Sequence, residues 1–364
     1  MKVAFPYMGT TVIYKKLLEL LGHEVIEPPE PTQRTIDLGV KYSPEFACFP
    51  LKVVLGSYIE AVEMGAETIV TSGGHGPCRA GFYGETHKKI LKNLGYDVDI
   101  IVFDAYKRDK MGTIKRVLKV KNGKSWITVW KAINVVYAMA KALDRIEKRI
   151  EKMRAYEVHK GECTKAWKTI KEWFDHDVKT IKDVEMTEMK SHKLLDEIKL
   201  VEVPEEEKIR IGIVGEIYVV MEQSINLRIE ETLGNLGAEV ERSQYLSEWI
   251  DYNIMPGAAR KEHELYILKK GEKYIEEIIG GHAKQTVGHI VDYAERGFDG
   301  VIHLMPFACL PELVSQSIIP TIGKEHNIPV LTLSIDEQTG TANTLTRLEA
   351  FIDLIRNNKR TKTA

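Results

Sequence analysis

Short apolar runs alternate with amphipathic helical stretches closed by glycine from the N-terminus to Phe103, and the alternation restarts at Ile209. Val3–Pro6, Glu24–Ile26, Glu67–Thr71 and Asp97–Phe103 read as strands. Between them, Thr11–Leu21 reads as a helix stopped by Gly22, Leu51–Met64 by Gly65 and Tyr83–Leu94 by Gly95. Strands alternating with helices in this way are the manner of a parallel α/β sheet. Glu27–Ser43, rich in proline and charge, reads as a loop. In the second half Ile209–Val214, Ala238–Glu241, Gly300–Leu304 and Val330–Ser334 repeat the strand pattern. Helices are expected there over Glu222–Leu236, through Gly288–Arg296, over Glu312–His326 and over Asn343–Asn357.

The strand signals fade from about Ala105 to Ile198. Ile133, Val136, Tyr137, Ala140, Leu143, Ile146, Ile150 and Met153 recur at steps of three and four, which is one face of a long helix. Trp167, Ile170, Trp173 and Phe174 suggest another. Charge pairing beside that face is not sustained, so the block reads as a helical insertion (a lid, docking or dimerisation segment) and not a coiled coil. The expected organisation is an α/β domain over 1–104, the helical insertion over 105–200, and a second α/β domain over 201–364.

Composition removes several classes of function. The formal net charge is −2, with 51 Lys and Arg set against 53 Asp and Glu, so no bulk field points to nucleic acid or anionic lipid. No apolar run approaches the ~18 residues that cross a bilayer. Strand-like residues follow the first methionine at once, without a signal-peptide layout, and a cytoplasmic location is expected. Four cysteines in a chain of 364 residues make no disulfide scaffold. No phosphate-cradling G-x-x-x-x-G-K-[ST] run occurs, so any ATP would be hydrolysed by another polypeptide.

Taken singly, each cysteine is an ordinary small hydrophobe; their positions argue otherwise. Phe46-Ala47-Cys48-Phe49-Pro50 returns as Phe307-Ala308-Cys309-Leu310-Pro311, and Cys78 stands in the glycine-rich turn Gly73-Gly74-His75-Gly76-Pro77-Cys78-Arg79. All three are expected near helix N-termini, where unsatisfied N–H groups and the helix dipole favour the thiolate that binds metal. Pro50 and Pro311 suit a first helical turn, and the glycines around Cys78 let backbone approach a bulky group. Cys48 and Cys78 belong to the first domain and Cys309 to the second, which predicts a centre in the interdomain cleft. Three thiolates suit a [4Fe–4S] cluster with one iron open to substrate, water or another ligand. Zinc is the competing metal, although its structural sites usually show close C-x-x-C pairs.

Other residues have two readings each. His75 is a ligand or proton donor, or a solvated turn histidine. Arg79 holds an anion or balances a charged cluster, or makes a surface ion pair. Glu216 and Tyr218 follow a strand at the loop end of the second sheet, where ligands bind in such sheets, though Tyr218 also suits simple packing. Asp336–Gly340 reads as a polar shell or a helix entry, and Cys163 as an ordinary residue of the helical block.

The segments Ser43–Lys52, Gly73–Arg79, Met305–Glu312 and Asp336–Gly340 resemble the 2-hydroxyacyl-CoA dehydratase family, in particular its branch of proteins related to CoA-substrate-specific enzyme activases. The resemblance covers most of the chain and is weakest in the helical middle. It implies two flavodoxin-like (Rossmann-like) halves and a [4Fe–4S] cluster on three cysteines, matched by Cys48, Cys78 and Cys309. It also implies a partner, a homodimeric iron–sulfur ATPase of the actin/hexokinase-like fold that injects low-potential electrons. In the dehydratases those electrons make a ketyl radical from a 2-hydroxyacyl-CoA. Related double-cubane proteins hold an [8Fe–9S] cluster and reduce small molecules. A double cubane wants about six cysteine ligands, so one cubane per chain is expected unless two chains share a cluster. The leading expectation is an anaerobic reductase or dehydratase-like component working as a homo- or heterodimer on an acyl-CoA or a small reducible molecule. The rivals are a non-catalytic electron carrier or cluster scaffold, and a binding protein with structural zinc.

Overall fold

The structure is a computed structural model that describes residues 1–73, 78–103, 110–254, 257 and 261–363. By internal contacts the chain forms two compact units. The first comprises Met1–Val136 together with Ile279–Gly281 and Pro306–Pro311; the second comprises Tyr137–Ile278, His282–Met305 and Glu312–Ala364. Among the described residues no helix is long and apolar enough to cross a membrane.

The first unit runs β1 (Lys2–Ala4), α1 (Val12–Leu20), β2 (Glu24–Val25), α2 (Gln33–Tyr42), α3 (Phe49–Glu63), β3 (Thr68–Ser72), α4 (Tyr83–Asn93) and β4 (Asp99–Phe103), then α5 (Lys110–Val120) and the start of α6 (Trp126–Met153). Its strands are parallel in the order β2-β1-β3-β4. The sheet core gathers Val3, Phe5, Leu18, Leu21 and Ile101 with Val120 and Ala132. The expected glycine stops hold: Gly22, Gly65 and Gly95 take φ of +81, +99 and +86° at the helix ends.

The expected loop Glu27–Ser43 is wrong in its second part, because α2 lies there. Thr32 and Thr35 close a capping box at its start. Its buried residues are Thr35 and Gly39, with Ile36, Leu38 and Val40 half-buried beside them, so its apolar side is short and lies behind a proline-rich, charged run. What it has instead is close approach. A Cβ on Gly39 would stand 1.9 Å from the Lys52 carbonyl oxygen, and a Cβ on Gly56 1.9 Å from that of Thr35. Two glycines, one from each helix, let α2 and α3 cross backbone to backbone. Helix α3 is buried from Phe49 to Ala61, with Leu55, Tyr58 and Ile59 at the centre, and truncating Leu55 to Ala would cost about 3 kcal/mol.

The second unit takes the rest of α6, then α7 (Glu162–Asp177), α8 (Ile181–Asp196), β5 (Ile209–Gly215), α9 (Ile217–Met221), α10 (Ile229–Asn235), β6 (Ala238–Arg242), α11 (Leu246–Asn253), α12 (Glu262–Gly271), α13 (Ala283–Glu295), β7 (Gly300–Pro306), α14 (Leu310–Glu325), β8 (Val330–Ile335) and α15 (Thr341–Thr363). Its parallel sheet has the order β6-β5-β7-β8, the first-sheet order again. Both are the 2-1-3-4 arrangement of a flavodoxin-like α/β fold. The likeness extends to register. A Cβ on Gly271 would stand 2.3 Å from the Lys284 carbonyl oxygen, and one on Gly288 2.2 Å from that of Ile267. Thr35, Gly39, Lys52 and Gly56 thus correspond without a gap to Ile267, Gly271, Lys284 and Gly288. Both lysines are buried.

Two further expectations change. The helix expected over Glu222–Leu236 starts only at Ile229, as α10, and a separate short helix, α9, precedes it. Asn226 ends α9 by donating to the Val219 carbonyl (2.9 Å) and opens α10 by accepting from the Ile229 N–H (3.3 Å), with Leu227 and Arg228 left-handed between. On α6 the stripe from Val136 to Met153 is largely buried as expected, whereas Ile133 is exposed. The second part of α6 is held by charge as well. Arg242, wholly buried at the end of β6, meets Glu147 (2.5 Å), Glu151 (3.1 Å) and Glu230 (3.2 Å), and the Tyr245 hydroxyl donates to Glu151 (2.5 Å). Burial raises the Glu151 and Glu230 carboxyl pKa values; Arg242 draws both the other way.

Candidate metal centre

Each expected ligand sits where a helical segment begins. Cys48 is the N-cap of α3, extended at φ −64° and ψ 149°, and Pro50 occupies the first turn. Cys78 holds the same backbone conformation before the short helical turn Arg79–Phe82 that leads into α4. Cys309 directly precedes α14, its N–H bonded to the Pro306 carbonyl (3.1 Å). Cys48 and Cys309 are buried and Cys78 is half-buried.

The three cysteines share the first compact unit, because Pro306–Pro311 groups with it although it follows a strand of the second sheet. Two cross-links tie the Cys48 segment to the Cys78 segment. Arg79 Nη1 donates to the Phe46 carbonyl (2.6 Å), its guanidinium 6.0 Å from the Phe46 ring centroid. Tyr83 Oη lies 2.7 Å from Cys48 Sγ. Gly281 ties in the third segment: a Cβ there would stand 2.7 Å from Pro311 Cγ and 3.9 Å from Cys78 Sγ, and its φ is +58°. Phe46, Phe82 and Phe307, close to the three cysteines in sequence, are all exposed.

Among the described residues one trio of metal-type side chains comes within 4.8 Å throughout, and it is Glu147, Glu151 and Glu230. Arg242 already supplies the cation there. Three soft sulfur donors at turn positions, with glycine backbone against one of them, suit a thiolate-bound metal group.

The repeated Phe-Ala-Cys-x-Pro run is not a repeated position. Cys309 follows β7 as Cys78 follows β3, since these are the third strands of matching sheets. The residue in register with Cys48 is Gly280, four before Lys284 as Cys48 is four before Lys52. Backbone conformation separates the copies too: Ala308 is left-handed at φ +61°, and Ala47 is not.

His75 lies outside the described residues. Arg79 spends its guanidinium on Phe46, which favours a positioning part over direct anion capture. Glu216 is the N-cap of α9, its Oε2 accepting from the N–H groups of Tyr218 (3.0 Å) and Val219 (3.2 Å). Desolvation raises its carboxyl pKa to about 7 against those two bonds, with Glu312 adding to the rise. Tyr218 is buried in α9. Asp336 closes a turn on Gln338 and Thr339, so it serves helix entry. Cys163 is fully buried, with its thiol pushed up to about 12 mainly by burial.

Sequence reasoning missed Tyr83, Gly281 and a buried pair in the second unit. There His303 Nε2 lies 2.9 Å from Glu312 Oε2, and Thr286 donates to Glu312 Oε1 (3.2 Å). Burial lowers the pKa of nearby His282, with Glu312 opposing. The matched register of Lys52 and Lys284 was the signal that could have drawn notice to Gly280 and Gly281.

A family profile described as 2-hydroxyglutaryl-CoA dehydratase, D-component, matches residues 25–355. No curated protein matches the chain at a significant level. The chain belongs to the 2-hydroxyglutaryl-CoA dehydratase D-component family, whose members in general depend on an iron–sulfur cluster and an activator partner.

Proposed function

We propose that this family member holds a [4Fe–4S] cluster on Cys48, Cys78 and Cys309, accepts low-potential electrons from an ATP-hydrolysing activator, and spends them on reduction or radical dehydration of an acyl-CoA or small molecule. The observation that carries this reading is the grouping of all three cysteine segments in one compact unit. The cluster would supply one-electron chemistry and an iron not bound by cysteine.

The chain's own residues do the rest. Arg79 and Tyr83 lash the first two ligand segments together, and Gly281 leaves room beside Cys78. Glu216, with a pKa near neutrality at the carboxyl end of β5, is suited to give or take a proton. Exposed Phe46, Phe82 and Phe307 suit a partner that docks over the ligand segments.

The test is anaerobic purification followed by iron and acid-labile sulfide analysis of the wild type and of Cys48→Ser, Cys78→Ser, Cys309→Ser and Cys163→Ser. The reading expects a brown protein whose first three variants lose iron and whose fourth keeps it. Equal iron in all four variants, or a colourless protein with one zinc per chain, would overturn it.

A further inference from the structure

Tyr83 Oη and Cys48 Sγ stand 2.7 Å apart, within hydrogen-bond reach. In a free thiol either group could donate. A metal-bound thiolate has no proton, so there the phenol must be the donor. We infer that Tyr83 is the hydrogen-bond donor that stabilises the Cys48 thiolate and thereby raises the reduction potential of the group it ligates. This inference rests on the cluster reading above and adds a residue to it.

The ring is held from both sides. Tyr83 is the first residue of α4 and packs against the patch formed by Ala47, Cys48 and Leu51. One turn on, His87 stands against the ring at 5.7 Å between centroids. His87 is itself fixed, its Nε2–H donating to the Leu51 carbonyl (3.0 Å) and its ring edge-on to Tyr58 at 5.2 Å. The phenol is thus held between His87 of its own helix and the start of α3, which is how a second layer orients and tunes a metal ligand.

The sign follows from charge. A donor on a ligand sulfur withdraws electron density from it, and the reduced, more negative state gains more from that than the oxidised one. Removing the hydroxyl should therefore make the group harder to reduce. The ring's packing would survive in phenylalanine, so loss of the proton donor is separable from loss of structure.

Wild type and Tyr83→Phe should be loaded anaerobically, their iron and sulfide counted, and their midpoint potentials compared by redox titration followed by electron paramagnetic resonance. The expected result is equal cluster content with a potential shifted to more negative values in Tyr83→Phe. Equal content with an unchanged or more positive potential overturns the inference and leaves the cluster reading standing. A wild type that binds no cluster overturns both. Should Tyr83→Phe fail to load, fluorotyrosine at position 83 takes its place: the more acidic phenol donates more strongly, so its potential should rise, and no rise overturns the inference.

Discussion

Gly281 and Pro311 meet across a gap that excludes a methyl group: a Cβ on residue 281 would lie 2.7 Å from the Pro311 ring, against a segment that also carries Cys309. Gly281→Ala adds that clash to a φ of +58°, together a local cost of about 2–3 kcal/mol. The expected outcome is a folded protein with less iron per chain than wild type. Far-ultraviolet circular dichroism and iron analysis of the same sample check it.

Ala308 holds φ +61° one residue before Cys309. The left-handed region costs a non-glycine residue about 1 kcal/mol, and glycine nothing. Ala308→Gly should therefore keep the turn and leave stability level or raised by up to ~1 kcal/mol, while Ala308→Val should lower it. Denaturant midpoints of the two variants give the comparison.

Arg242 is in direct contact with Glu147, Glu151 and Glu230 in a buried site. Arg242→Met should destabilise the protein by about 3–5 kcal/mol, because it strands buried carboxylates. Adding Glu151→Leu to Arg242→Met should recover part of the loss. A double variant less stable than the single one would contradict this account.

Acid should weaken the first unit through His87. Burial holds its pKa at about 4, against an ordinary 6.5, with the Leu51 carbonyl opposing. The folded pKa is depressed, so the associated stability is intact above pH 6.5 and drains as pH falls toward 4. The full loss amounts to about 3 kcal/mol. His87→Gln keeps a donor for Leu51 and does not titrate, so its stability should fall less over that window. Urea melts at pH 7, 6, 5 and 4 measure the difference.

The strands and most helices were legible because their signals are local: apolar runs, amphipathic stretches and glycine stops. Helix α2 was not, since its most buried residues are Thr35 and Gly39 and its short apolar side follows the run Pro28-Pro29-Glu30-Pro31, which reads as loop. The break between α9 and α10 depends on Asn226 bonding to both neighbours, which no periodicity reports. The cysteines stood out by motif. Tyr83 and Gly281 could not, because what matters about them is a tertiary contact: Tyr83 reaches back to Cys48, and Gly281 comes from the far half of the sequence. The Phe-Ala-Cys-x-Pro repeat misled about equivalence, for Cys309 answers to Cys78 by topology.

The register shared by α2–α3 and α12–α13 puts one constraint on both halves: the crossing glycines and the buried lysine recur, and Cys78 has a topological counterpart in Cys309, whereas the place of Cys48 is held in the second half by Gly280. Two matched halves thus carry an uneven set of sulfurs, three and not four, and a cubane seated on them would keep one corner without a cysteine.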